Sequence, residues 1–137
     1  MSDNVPVGKK SNGTKYKVLI IDDSIFVVKQ IRKILETEEF EIIDVAEDGE
    51  VGYEKYKEHY PNIDIVTMDI TMPKLDGISS LEKIIEFDKN AKVIIVSALG
   101  KEDLVKKALL SGAKNYIVKP LDRVKVIERI ISVLNGV

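Results

Sequence analysis

The chain contains no cysteine. Disulfide frameworks, thiolate metal sites and thiol nucleophiles are thereby excluded, and the composition suits a reducing compartment such as the cytoplasm. Tryptophan is absent too, and a single histidine, His59, rules out a multi-histidine metal centre. Positive charge is not in excess. Twenty-one Lys and Arg stand against 23 Asp and Glu, a net charge of −2, so no basic surplus exists to condense onto a phosphate backbone and no nucleic-acid partner is expected. Apolar runs are short, well below the roughly 20 residues that cross a bilayer, and the opening MSDNVPVGKKSNGTKY lacks the apolar core of a signal peptide. No membrane association is expected. What remains is a 137-residue chain, 45% hydrophobic, which can bury one core and reads as one domain.

Residues 1–15 are polar, rich in Gly, Ser, Asn and Lys without an apolar period, and read as a flexible N-terminal tail ahead of a folded domain at 16–137. From Tyr16 onward two textures alternate. KVLIID, EIIDVA, IDIVTMD, KVIIVSA and NYIVK are short runs dense in Val and Ile, whereas the segments between them space their apolar residues as helices do. Helices are expected at about 24–36, 49–59, 77–87, 101–111 and 122–135. Their apolar stripes include Val27, Ile31 and Leu35 in the first, and Val124, Ile127, Ile131 and Leu134 in the last. Strands that are continuously apolar must be covered on both faces, which means a parallel sheet between helix layers: a doubly wound α/β domain of five strands and five helices. Periodicity does not choose between a flavodoxin-like and a Rossmann-like strand order.

The chemistry lies at the strand ends. Asp22 and Asp23 follow the first apolar run, Asp69 closes the third, Ser97 the fourth, and Lys119 follows the fifth. A parallel sheet brings all its C-terminal ends to one edge, where ligand sites of open α/β sheets form. Three carboxylates crowded there repel one another, each pair by about 4 kcal/mol at 4 Å for an effective dielectric near 20, so a cation or protons must be taken up. Oxygen-only ligands select a hard ion, and Mg²⁺ fits two or three carboxylates on loops. Carboxylate-held Mg²⁺ beside one ammonium and one hydroxyl describes a phosphoryl-binding site, in which a carboxylate can itself become the acceptor.

The pair Asp22-Asp23, the run Met68-Asp69-Ile70-Thr71-Met72-Pro73, Asp76-Gly77, Ser97-Ala98 and Lys119-Pro120 resemble, in order and spacing, the receiver domain of bacterial and archaeal two-component response regulators, over Lys17 to Leu134. The resemblance implies the flavodoxin-like order 2-1-3-4-5. It also implies Asp69 as phosphoacceptor, with Asp23 ligating Mg²⁺ directly, Asp22 through water and Thr71 through its backbone carbonyl. Lys119 would pair with the phosphoryl oxygens, Ser97 would hydrogen-bond them, and Ser97 and Tyr116 would form the two-state switch. Lys119-Pro120 is expected to be cis, and Gly77 to occupy a turn with positive φ. Ser97 stands where the family more often has Thr, which keeps the hydroxyl.

The chain ends soon after the fifth helix, so the expected output is docking rather than an attached effector domain. The stand-alone, CheY-like chemotaxis receivers are then the leading analogy. They imply a monomer, phosphorylated by a CheA-like histidine kinase, read by a FliM-like flagellar motor switch protein and reset by a CheZ-, CheC- or CheX-type phosphatase. The docking face would be the fourth helix, fifth strand and fifth helix, with Lys106, Lys107, Lys114 and Tyr116 exposed to a partner helix. Such a protein takes part in its own phosphoryl transfer and is not a multiple-turnover enzyme. A phosphorelay intermediate is the alternative within the same chemistry. A Mg²⁺-dependent aspartyl-phosphate phosphatase is the alternative of another class, but it requires a second Asp where Thr71 stands. His59 reads as a surface residue without a role.

Overall fold

The computed structural model describes residues 5–72 and 76–136. Five strands alternate with five helices: β1 (Lys17–Ile21), α1 (Ile25–Thr37), β2 (Glu41–Ala46), α2 (Gly49–His59), β3 (Ile65–Asp69), α3 (Gly77–Phe87), β4 (Val93–Ser97), α4 (Glu102–Leu110), β5 (Asn115–Val118) and α5 (Arg123–Leu134). All pair in parallel, in the order β2-β1-β3-β4-β5. The strand order that periodicity left open is therefore the flavodoxin-like one. Every residue of β3 and β4 is buried, as strands covered on both faces require.

The strands send alternate residues into two cores. Leu19, Ile21, Val66, Met68, Val93 and Ile95 face the layer built by α2, α3 and α4, where Tyr56, Leu81, Ile84 and Ala108 meet them. Val18, Ile20, Ile65, Ile94, Val96 and Ile117 face α1 and α5. In α1 the buried residues are Val27, Ile31 and Leu35, as expected. In α5 they are Val126, Ile130 and Val133, and Val124 is 61% exposed. The expected stripe is displaced because apolar residues cover more than half of this helix. Two i, i+3/i+4 series are then available, and only docking on the sheet decides which turns inward.

Three helices start on a capping side chain, and each cap lies beside a strand end. Ser24 accepts from the Val27 N–H, Asp48 from Val51 and Asp76 from Ser79. The Lys119-Pro120 bond is cis, as is Tyr60-Pro61.

Val5 to Lys15 is not an isolated extension. Gly8 donates to the Glu38 carbonyl at 2.7 Å and its own carbonyl accepts from the Tyr16 N–H, while Lys9 and Lys15 form an antiparallel bridge. Ion pairs join Lys9 to Glu39 and Lys10 to Asp64, both at 3.2 Å. Gly8 is buried so closely that a Cβ would fall 2.3 Å from the Phe40 nitrogen. The segment thus folds back on the α1–β2 turn and the N-terminal ends of β1 and β3. The expected tail departs from this arrangement because its contacts are made by backbone groups, lysine ion pairs and the single apolar Val7, none of which leaves an apolar period in the sequence.

Candidate functional site

Asp69 is the last residue of β3, and Asp22 and Asp23 follow directly on β1, its neighbour in the sheet. Adjacent parallel strands ending at one edge therefore place the three carboxylates together. Each offers an oxygen, and these atoms lie within 4.8 Å of one another. Asp22 and Asp69 are buried and Asp23 is exposed, so the group opens to solvent on the Asp23 side. There a cleft of about 600 Å³ runs between α1 and α2, lined by Asp22, Asp23, Lys29 and Lys55 among others.

Among the described residues, countercharge is scarce. The Lys119 Nζ lies 4.0 Å from Asp22 Oδ2, beyond hydrogen-bond length, and Asp22 Oδ2 is buried without a hydrogen-bond partner. The other Asp22 oxygen accepts from the Ser24 N–H at 2.8 Å. Asp69 Oδ1 has one long contact from the Thr71 N–H, 3.4 Å. Burial, and next the Asp22 charge, push the Asp69 carboxyl up to about 6, against the opposing pull of Lys119 and Thr71. Burial also raises Asp22, opposed by the Ser24 hydrogen bond and Lys119. A protein that buries carboxylates with so few partners has left them acceptor capacity to spare, which a hard cation fits.

The Ser97 hydroxyl, at the end of β4 beside β3, is also buried and unpartnered. It lines a groove of about 210 Å³ with Ala98, Val105, Leu109, Tyr116 and Val118. Asp22, Asp23, Asp69, Ser97 and Lys119 therefore share the C-terminal edge, with exposed Thr71 just past it, while Tyr116 flanks the edge from β5. Of the motif Met68 to Pro73, the last residue lies outside the described residues.

Gly77 does not sit at positive φ. Its requirement is space. A Cβ there would come within 2.3 Å of the Asp69 carbonyl oxygen, and the Gly77 N–H donates to the Ile70 carbonyl at 2.8 Å. The start of α3 is thus seated on the backbone at the end of β3, a close approach that only glycine permits.

A second group was not anticipated. Asp44, Glu58 and His59 also bring ligand atoms within 4.8 Å. Here His59 Nε2 is 2.8 Å from Asp44 Oδ2, and Lys55 Nζ donates to Asp44 Oδ1 at 2.9 Å and to the Val45 carbonyl at 2.6 Å. Burial alone would raise Asp44, but the bonds from His59, Lys55 and the Val45 N–H outweigh it and hold the carboxyl below its usual value. The signal was present: Lys55 and His59 are i, i+4 on one helix face, and Asp44 is the one charge inside the apolar run of β2.

Comparison with known proteins agrees with the arrangement at the C-terminal edge. The response regulator receiver domain family matches residues 18–131. The chain belongs to that family. It is 68% identical to the chemotaxis protein CheY of Treponema pallidum over 134 residues, 98% of this chain and 93% of the relative, and 45% identical to Bacillus subtilis CheY over 88% of this chain and 98% of that one. Among solved structures it is similar to a chain in the crystal structure of the CheX–CheY–BeF3–Mg²⁺ complex from Borrelia burgdorferi, with 61% identity, a TM-score of 0.91, and coverage of 94% of this chain and 97% of that one. This is a CheY-like receiver of the chemotaxis type. Among the described residues no helix is long and apolar enough to cross a membrane.

Proposed function

We propose that this receiver accepts a phosphoryl group on Asp69 from the phosphohistidine of a CheA-like histidine kinase, with Mg²⁺ as cofactor. The observation that carries the reading is the crowding of Asp22, Asp23 and Asp69 with, among the described residues, the Lys119 ammonium held at a distance and buried oxygens left unpaired. The Asp23 and Asp69 carboxylates and the Thr71 carbonyl would hold the metal, with Asp22 acting through water. When bound, Mg²⁺ supplies charge neutralisation for the transferring phosphoryl oxygens.

The carboxylate must be ionised to attack. In transfer, an Asp69 oxygen forms a bond to phosphorus as the phosphorus–nitrogen bond of the donor breaks, and the released imidazole nitrogen keeps the electron pair and takes a proton from solvent. Lys119, on its flexible stem, follows the charge to the new phosphoryl oxygens. Ser97, whose hydroxyl has no partner in the free protein, donates to one of them. Ile25 and Phe26, 74% and 70% exposed beside the acid pair, offer the donor domain an apolar landing.

The new charge then biases Tyr116. Movement of Ser97 toward the phosphoryl group leaves room for the ring in the groove the two share, and the α4–β5–α5 face changes shape. A FliM-like motor switch segment, an amphipathic helix complementary to Lys106, Lys107 and Lys114, reads that face in the cytoplasm. A CheX-type phosphatase resets the protein, a partner supported by the Borrelia complex of a 61% identical relative.

The test is acetyl phosphate with and without Mg²⁺, followed by mass spectrometry of the Asp69 peptide. One phosphoryl group per chain is expected with Mg²⁺, and none in Asp69→Asn. Undiminished labelling of Asp69→Asn would remove Asp69 as acceptor.

A further inference from the structure

Tyr116 and Arg129 meet from opposite faces of the sheet. The Tyr116 side chain packs with the core under α3 and α4, whereas α5, which carries Arg129, packs its Val126, Ile130 and Val133 into the core on the other face. β5 is an edge strand, so the path between the faces runs around its free side. Half-buried Arg129 takes that path, and its guanidinium carbon lies 5.0 Å from the Tyr116 ring centroid. Its Nη1 donates to Asn115 Oδ1 at 3.3 Å, and the same oxygen accepts the Tyr116 N–H at 2.8 Å. Asn115 thus pins the guanidinium beside the residue whose ring it covers.

Tyr116 is half-buried in this arrangement. Between it and Ser97 lies the 210 Å³ groove, with Val105 and Leu109 along its wall. Arg129 is not among the residues lining that groove, so the contact that holds the ring is made outside it and opposes movement of the ring into it. We propose that Arg129 is a positioning residue that holds the Tyr116 ring at the edge of β5 through a cation–π contact and so sets how readily the switch is thrown. The proposal rests on the reading of Ser97 and Tyr116 as coupled partners, and it adds the element that opposes them.

A partly exposed cation–π contact of this kind corresponds to about a two- to fivefold bias in a conformational equilibrium. Removing it raises the population competent for phosphoryl binding by that factor, and apparent affinity rises in step. The experiment is a beryllofluoride titration at saturating Mg²⁺, with the Tyr116 ring rotamer followed by NMR, on wild type, Arg129→Gln and Arg129→Lys, and on Arg129→Gln in a Tyr116→Leu background. Arg129→Gln should bind about two- to fivefold tighter and populate the inward ring more, and Arg129→Lys, which keeps the cation, should stay nearer wild type. In Tyr116→Leu the Gln substitution should change nothing. Equal affinity and equal ring populations in wild type and Arg129→Gln would overturn the proposal, as would the same gain persisting without the ring. Failure of beryllofluoride to bind any variant would count against Asp69 as acceptor, while the ring populations of the free proteins would still judge Arg129.

Discussion

Two clusters in this molecule each bring three metal-ligating side chains within 4.8 Å, yet their electrostatics run in opposite directions. Around Asp44, an ammonium and an imidazole both touch the carboxylate, and its pKa is held low. Around Asp69, the ammonium stands back, two other carboxylates press in, and burial drives the pKa up to about 6. The first cluster is closed: both Asp44 oxygens already have partners, Oδ1 in Lys55 and Oδ2 in His59, and an added cation would have to displace Lys55. The second is open: among the described residues Asp22 Oδ2 is buried without a hydrogen-bond partner, and the carboxylates keep acceptor capacity for a cation. Clustering of ligand-type residues therefore does not mark the site. Uncompensated clustering does.

The comparison fixes opposite signs for the two carboxylates. Asp69 is raised, so its favourable contribution is complete below the unfolded value of 3.8 and is lost as pH rises to about 6, leaving the metal-free protein strained at neutral pH. Replacing it by Asn should stabilise the metal-free protein at pH 7.5 by on the order of 2 kcal/mol, read by urea denaturation, with the gain shrinking toward pH 4. Destabilisation by Asp69→Asn at pH 7.5 would break the contrast. Asp44 is lowered, so its contribution is present above 3.8 and lost as pH falls through its depressed folded value. Asp44→Asn should cost only about 0.5–1 kcal/mol at neutral pH, because solvent screens a pair this close to the surface. The same denaturation series measures it, and a gain in stability would contradict the account.

Much of this was legible in the sequence because strand-end residues obey topology. Once KVLIID, IDIVTMD and KVIIVSA read as buried parallel strands, Asp22, Asp69 and Ser97 had to share an edge. The packing of α5 was not legible, since Val124–Ile127–Ile131 and Val126–Ile130–Val133 are equally good stripes. Nor was the seat of Gly8 against Phe40, which depends on backbone groups brought together by the α1–β2 turn. Gly77 was noticed for the wrong reason: its need is clearance over the Asp69 carbonyl, a distance that only the fold creates. Arg129 reads as a helix charge like its neighbours, and only the edge position of β5 brings it onto Tyr116.

The central claim is that the imbalance around Asp69 is what recruits the metal, and calorimetric titration with Mg²⁺ tests it most directly. At pH 7.5 one ion per chain should bind to the wild type and to Asp44→Asn alike. Binding should weaken about tenfold or more in Asp23→Ala, by analogy with the loss of metal-site groups, and should also fade as pH falls through about 6, where protons compete for Asp69. Mg²⁺ binding that survives Asp23→Ala unchanged, or that disappears in Asp44→Asn, would contradict the account.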